Sequence, residues 1–400
     1  MQNLIQVFYK ILSIVSKSIF VLYFAVDFND GILSEFLYVT TMSSVVATIL
    51  GLGMADHYPI YLNRNPNSYH DFMRRVLPRV IFINSFLFCL YIVLDAGSIF
   101  IKIILLAVIL VSYVHVSGVF RFVSYKYYES LSNLPAIVFI IVLSVSGFFQ
   151  FNDLVGNFAF SYLLALILIS FRPYLKSFRV KNSSFRPGIE DLKAGLYKML
   201  SEVFALIAMR SVVMLPPLLT GSMLSDKVAL MFMIAEAISL LIQIFINKVY
   251  LAFVKFENSS KYFMRFNFLI IFIFFISKIT ASFIIYFNID VDLLSFSISM
   301  LDVSLLFEIV CYFIIFNGFS LFRYFLWAND ASVGKVDLSI LFMFVVMFSN
   351  CAFVGLFGVN FSTLAFVNFA LFVSLFYFIH LILVRGRIVS KVNTNFYSKG

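Results

Sequence analysis

Apolar runs long enough to cross a bilayer recur along the whole chain, separated by short polar connections, and this alternation predicts membrane-spanning helices. The runs fall near residues 4–27, 35–57, 77–95, 98–123, 131–149, 154–173, 195–219, 226–246, 263–287, 303–327, 336–357 and 361–384. The predicted fold is all-α: a polytopic membrane protein of about 12 transmembrane helices in two six-helix halves around a central cavity. Polar positions inside the runs are few, so each is informative. Lys10 and Lys17 sit in the first run about 20° apart around a helix axis, with Ser13 on the same side, which makes a polar stripe where lipid would favour Leu or Phe. The stripe implies a wet interior.

The seventh run carries a second stripe: Lys198, Glu202 and Arg210 fall within about 120° of helix arc. Lys198 and Glu202 are four residues apart and can pair locally. Arg210, near the end of its run, and Glu236, midway along the next, reach similar depth, which suits an ion pair across a helical hairpin. Lys278 and Glu308 stand in the same relation across runs nine and ten, where a structural pair is the favoured reading. Lys17 has no acidic residue at its depth in the first half. Five intramembrane cations (Lys10, Lys17, Lys198, Arg210, Lys278) face three anions (Glu202, Glu236, Glu308), and the surplus favours an anionic ligand.

Composition agrees with the pattern: 62% of the 400 residues are hydrophobic, 12% are charged, 53 are Phe and the mean hydropathy is +1.02, far from a soluble domain. The net charge of +9 would suit a nucleic-acid partner, but the cations do not form one patch; they are dealt out between the runs, as membrane topology requires. With the N-terminus cytoplasmic, one side collects Arg64, Arg74, Arg75, Arg79, Lys126, Arg179, Lys181, Lys193, Lys255, Arg323, Arg385 and most other basic residues. The other side holds Lys102 and Lys227 against Asp27, Asp30, Glu35, Asp95, Asp153, Asp226, Asp290, Asp292 and Asp302. This asymmetry predicts an even number of spans and both termini cytoplasmic. The N-terminus lacks a basic region followed by a small-residue cleavage site and reads as a retained span.

The longest connection, 174–194, is basic and contains Pro187-Gly188; it divides the chain into an N-terminal half (1–173) and a C-terminal half (195–400) ending in a cytoplasmic tail. A short repeat fits the division: Tyr9-Lys10-Ile11-Leu12-Ser13-Ile14-Val15 matches Tyr197-Lys198-Met199-Leu200-Ser201-Glu202-Val203 at an offset of 188 residues. Six spans per half relate the halves by an axis along the membrane normal.

Other chemistry is sparse. Cys89, Cys311 and Cys351 lie in apolar runs without CxxC spacing, and His57, His70, His115 and His380 are dispersed, so neither disulfides nor a metal site are expected. No P-loop, GxGxxG or GxSxG occurs, and no cofactor is implied. Gly51 and Gly53 in Leu50-Gly51-Leu52-Gly53-Met54 read as closing the second span, and Pro216-Pro217 as a break or kink in the seventh. Trp327 beside Tyr324 is expected at a membrane interface.

Twelve spans in two halves, the stretch Lys10-Ile11-Leu12-Ser13, the ending Leu50-Gly51-Leu52-Gly53 followed by Arg64, and the opening Leu192-Lys193-Ala194-Gly195-Leu196 together resemble the bacterial polysaccharide flippases of the multidrug/oligosaccharidyl-lipid/polysaccharide exporter superfamily. The resemblance covers essentially the whole chain. It implies a V-shaped fold in the bacterial inner membrane, with spans one, two, seven and eight lining a cationic cavity that contains Lys10, Lys17, Lys198 and Arg210. The implied activity is translocation of undecaprenyl-diphosphate-linked oligosaccharide repeat units, such as the O-antigen units of lipopolysaccharide, from the cytoplasmic to the periplasmic leaflet. Its implied partners are the lipid-linked oligosaccharide, membrane lipids, and a polysaccharide polymerase with its chain-length regulator. Two rival readings remain: an integral-membrane polysaccharide polymerase, for which the short acidic loop near 288–302 supplies no acceptor-binding arginines, and a drug or ion antiporter of the same fold.

Overall fold

The computed structural model describes residues 31–65, 68–94, 98–123, 125–148, 153–177, 185, 187–220 and 228–236, together with short stretches between 268 and 352. Two compact units divide the chain, one spanning 1–23 and 29–223 and the other 24–28 and 224–400. Lys10, Lys17, Lys278, Glu308, Trp327 and the first copy of the repeat lie outside the described residues.

In the first unit, α1 (Ile32–Leu50) is followed after a three-residue turn by α2 (Met54–Arg64). A single turn, α3 (Ser68–Asp71), runs through a π-helical segment (Phe72–Val76) into α4 (Leu77–Leu94). Then come α5 (Ile99–Val123), α6 (Tyr125–Phe148), α7 (Leu154–Ser177) and α8 (Ile189–Thr220). The stretches 32–50, 68–93, 99–120 and 154–171 are each long and apolar enough to cross a membrane.

The core is built around α5, which packs against α1, α2, α4, α6 and α7. Its sequence is apolar almost all round, as a helix enclosed by others requires, and Leu106, Ala107, Ile109, Val116, Val119 and Phe120 are buried on it. Gly118 lets the backbone of α2 approach at Ala55: a methyl there would overlap the Ala55 carbonyl oxygen. By contrast α4 is peripheral. Phe82 is 71% and Val93 79% exposed, and Ile83, Phe86, Leu90 and Ile92 are exposed with them, a surface that only hydrocarbon would solvate well. Hydroxyls inside the helices bond back to the preceding turn, Thr40, Ser44 and Thr48 among them, which satisfies polar groups where water is absent.

Side-chain bonds join helix ends within the first unit. Lys102 at the start of α5 pairs with Glu35 at the start of α1 at 3.1 Å, and Tyr91 near the end of α4 donates to Asp153 at the start of α7. The sequence places all four residues on one side of the membrane. At the opposite end, Asp71 and His57 bond to residues just before and within the start of α8.

Several boundaries differ from expectation. Gly51 and Gly53 end α1 but do not end helical structure, since α2 follows at once. The seventh helix begins at Ile189 rather than 195, because a polar first turn containing Glu190 and Asp191 extends it beyond the apolar run that hydropathy detects. It also runs through Pro216-Pro217 to Thr220, so the proline pair does not break it.

In the second unit, residues 228–236 are helical, and Phe232 packs edge-on against Phe313 with ring centroids 6.2 Å apart, beside buried Ile309 and Cys311. An antiparallel hairpin pairs β1 (Val291–Leu293) with β2 (Phe296–Ile298), with Asp292 opposite Ser297. This hairpin departs from a purely helical fold. The apolar–polar–apolar alternation of Val291-Asp292-Leu293 and Phe296-Ser297-Ile298 was the signal for it.

Candidate functional site

The charged face of α8 meets the break between α1 and α2. That break is built from backbone conformations: Leu52 has φ 48° and Gly53 φ 62°, both left-handed. Gly53 is needed for a second reason. A methyl at Gly53 would overlap the Gly195 carbonyl oxygen and lie 2.6 Å from the Met199 nitrogen, and one at Gly195 would lie 2.6 Å from the Leu52 carbonyl oxygen. The two glycines therefore let α8 touch the turn backbone to backbone.

His115 of α5 braces the turn. Its Nε2 lies 3.1 Å from the Gly51 carbonyl oxygen, which only accepts, so Nε2 carries the proton and Nδ1 accepts from the Tyr58 hydroxyl at 3.0 Å. Burial among aromatic rings keeps the Tyr58 hydroxyl protonated, raising its pKa well above the usual phenol range.

The start of α8 is fastened by Asp191. Its Oδ2 accepts from the Gly188 N–H at 2.9 Å, the reciprocal half of a capping box, while its Oδ1 accepts from His57 Nε2 at 2.8 Å. One carboxylate thus caps the helix and ties it to α2. Just upstream, the Phe185 ring enters an aromatic cradle of Tyr58, Tyr61 and Phe72, with centroids 5.5, 5.5 and 5.0 Å away. Its N–H donates to Asp71 Oδ2 at 2.8 Å, and the other Asp71 oxygen accepts from Arg75 Nε at 2.8 Å. The chain entering α8 is therefore anchored at Phe185.

Of the sequence-predicted site residues, Lys198 is 4% exposed, with its Cβ beside Gly53, and Ser201 one turn on is fully buried. Glu202, Arg210 and Glu236 are half-buried. Arg210 belongs to the first unit and Glu236 to the second. Beside Lys198, α8 and α1 share an apolar cluster of Val45, Met199, Val203 and Met214. Sequence reasoning did not pick out His57, Asp71, Phe185 and Asp191 as a joined group. The available signal was local: Pro187-Gly188 three residues before Asp191, which is a helix-start pattern.

No protein-family model and no curated protein sequence matches the chain. Solved structures do match it. A MATE transporter in complex with Br-NRF aligns over 97% of this chain and 96% of its own length at 15% identity, with a TM-score of 0.54. MATE in the straight conformation aligns over 98% and 94% at 14% identity, with a TM-score of 0.55. An outward-facing multidrug resistance MATE family transporter of the MOP superfamily aligns over 98% and 92% at 16% identity, with a TM-score of 0.47. The chain has the MATE fold. That fold agrees with the apolar, lipid-compatible surface of α4 and makes this a membrane-embedded protein.

Proposed function

We propose that the protein is a flippase that moves undecaprenyl-diphosphate-linked oligosaccharide repeat units from the cytoplasmic to the periplasmic leaflet by alternating access. The observation that carries this reading is the surplus of cations over anions inside the spans, of which Lys198, beside the α1–α2 turn, is in view. A diphosphate and its sugars cannot cross hydrocarbon unaided; a hydrated cationic cavity would accept them while the polyprenyl tail remains in lipid. The two halves, 1–173 and 195–400, would rock against each other to expose the cavity to each leaflet in turn. Lys10, Lys17, Lys198 and Arg210 would meet the anionic headgroup, and Glu202, Glu236, Lys278 and Glu308 would pair or couple ions. In the described state Lys198 is covered, so α8 must part from Gly53 before that lysine meets substrate.

The MATE fold favours a second reading, a drug or ion antiporter. One experiment separates them. Lys17→Gln at native expression should leave the protein inserted but stop surface polysaccharide assembly, with lipid-linked single units trapped at the cytoplasmic leaflet, and Lys17→Arg should retain more activity. Normal surface polysaccharide together with altered drug susceptibility would favour the antiporter instead.

A further inference from the structure

A lipid-shaped surface runs along α4. Helix α4 packs against α5 and α7, and the π-helical segment before it also packs on α7, whereas α8 packs on α1 and α2. Along α4, Ile83, Phe86, Leu90 and Val93 follow Arg79 at offsets of 4, 7, 11 and 14 residues, which places them on one stripe with it, and all five are exposed. Arg75, one turn before Arg79, and its neighbour Arg74 are exposed as well. Among the described residues Arg75 alone of the three has an ion pair, and its side chain is still 61% exposed while its Nε is held by Asp71. The π-helical turn (Phe72–Val76) carries two of the three guanidinium groups.

We propose that this stripe binds an anionic phospholipid of the surrounding bilayer, with Arg75 and Arg79 on the headgroup phosphate, Arg74 adding positive charge from the same turn, and Ile83, Phe86 and Leu90 along an acyl chain. The dimensions agree. One leaflet of hydrocarbon, about half of the roughly 30 Å core, corresponds to about ten helical residues at 1.5 Å each, the distance from Arg79 to the neighbourhood of Leu90. Guanidinium groups fork onto phosphate oxygens, and Asp71 fixes one of the three while leaving its outer nitrogens available. Bilayer phospholipid fits better than the transported lipid because the apolar stripe lies on a helix that packs on α5 and α7, whereas Lys198, the cavity candidate in view, lies on α8, which packs on α1 and α2. This inference does not depend on the identity of the transported substrate.

The chain has one tryptophan, Trp327, so an indole can report on the stripe alone. In the full-length Trp327→Phe, Phe86→Trp protein, reconstituted in phosphatidylcholine vesicles, quenching is compared for brominated phosphatidylglycerol and brominated phosphatidylcholine at equal mole fraction. The expected result is a relative association about fivefold or more in favour of phosphatidylglycerol, roughly one arginine's contribution. It should be lost when Arg74→Gln, Arg75→Gln and Arg79→Gln are combined and kept when all three become lysine. Should the triple glutamine protein fail to fold, Arg79→Gln alone, which leaves the Asp71 pair intact, serves as the test. Equal quenching by the two lipids in the arginine-bearing protein overturns the proposal, as does a preference that survives glutamine. Displacement of phosphatidylglycerol by an equimolar amount of undecaprenyl diphosphate would reassign the surface to the transported lipid and overturn the choice of occupant.

Discussion

Three glycines separate two costs that coincide where α8 meets the α1–α2 turn. Gly31 has φ 74°, but the nearest atom to an added methyl is Ser34 Oγ at 3.9 Å, so Gly31→Ala carries only the left-handed backbone cost, about 1 kcal/mol. Gly118 has no such conformation, yet its methyl would overlap the Ala55 carbonyl oxygen with Ala55 Cα at 3.0 Å, so Gly118→Ala carries only overpacking, about 1–3 kcal/mol. Gly53 has both. Its neighbours are backbone atoms of Gly195 and Met199, which cannot swing aside as a side chain tip would, so Gly53→Ala should cost about 2–5 kcal/mol. Unfolding of the purified protein in one detergent, followed by denaturant titration, should rank the variants Gly31→Ala, Gly118→Ala, Gly53→Ala from mildest to most severe. A Gly53→Ala protein no less stable than Gly31→Ala would show that α8 does not press on the turn, and would remove the basis for treating that contact as a gate.

The His57–Asp191 bond should appear as coupling: in a double-mutant cycle of His57→Gln and Asp191→Asn the two defects should fall short of additivity by about 0.5–3 kcal/mol, and strict additivity would contradict the contact. Because burial raises the Tyr58 pKa above its ordinary value of 10.0, the folded protein keeps the phenol neutral while the unfolded chain ionises, so this contribution is full below that pH and declines above it. Tyr58→Phe should therefore show a shallower alkaline loss of stability than the parent, and an identical alkaline limb would refute the assignment. In a background with Cys89, Cys311 and Cys351 replaced, a water-soluble maleimide should label Lys198→Cys far more slowly than Lys193→Cys, since Lys198 is 4% exposed and Lys193 lies open at the helix start. Equal rates would mean that the seal over Lys198 is absent.

The spans of the first unit were legible because lipid imposes a one-dimensional rule: apolar length decides what crosses, and α5 and α7 begin within a residue of the expected runs. Hydropathy is silent where helices continue past the hydrocarbon, which is why α2 and the polar first turn of α8 were not foreseen. The Gly53 and Gly195 pair illustrates a second limit. Each glycine was visible, but their pairing lies between residues 142 positions apart and is set by how helices cross, not by local sequence. Phe185 is similar: among 53 phenylalanines nothing in the chain singles it out until Tyr58, Tyr61 and Phe72 are seen around it. Lys198 was legible as a polar residue in an apolar run, whereas its cover depends on tertiary packing alone.

The two ends of the described bundle are held by interactions of different strength, and this bears on which end opens with difficulty. At one end Glu35 and Lys102 pair with side chains 35% and 19% exposed, so water offsets much of what that bond contributes, and the buried Tyr91 bond to Asp153 ties α4 to α7 without involving α8. At the other, His57 and Asp191 are 6% and 17% exposed, Phe185 is seated in its cradle, and glycine backbones touch. Separating α8 from α2 there would strand a buried imidazole and a helix-capping carboxylate before water reached them. Along α8 beyond that point it shares with α1 an apolar cluster of Val45, Met199, Val203 and Met214, side chains that can part or repack at less cost. Release of the Asp191 and Phe185 contacts is therefore the costlier step in parting α8 from its neighbours.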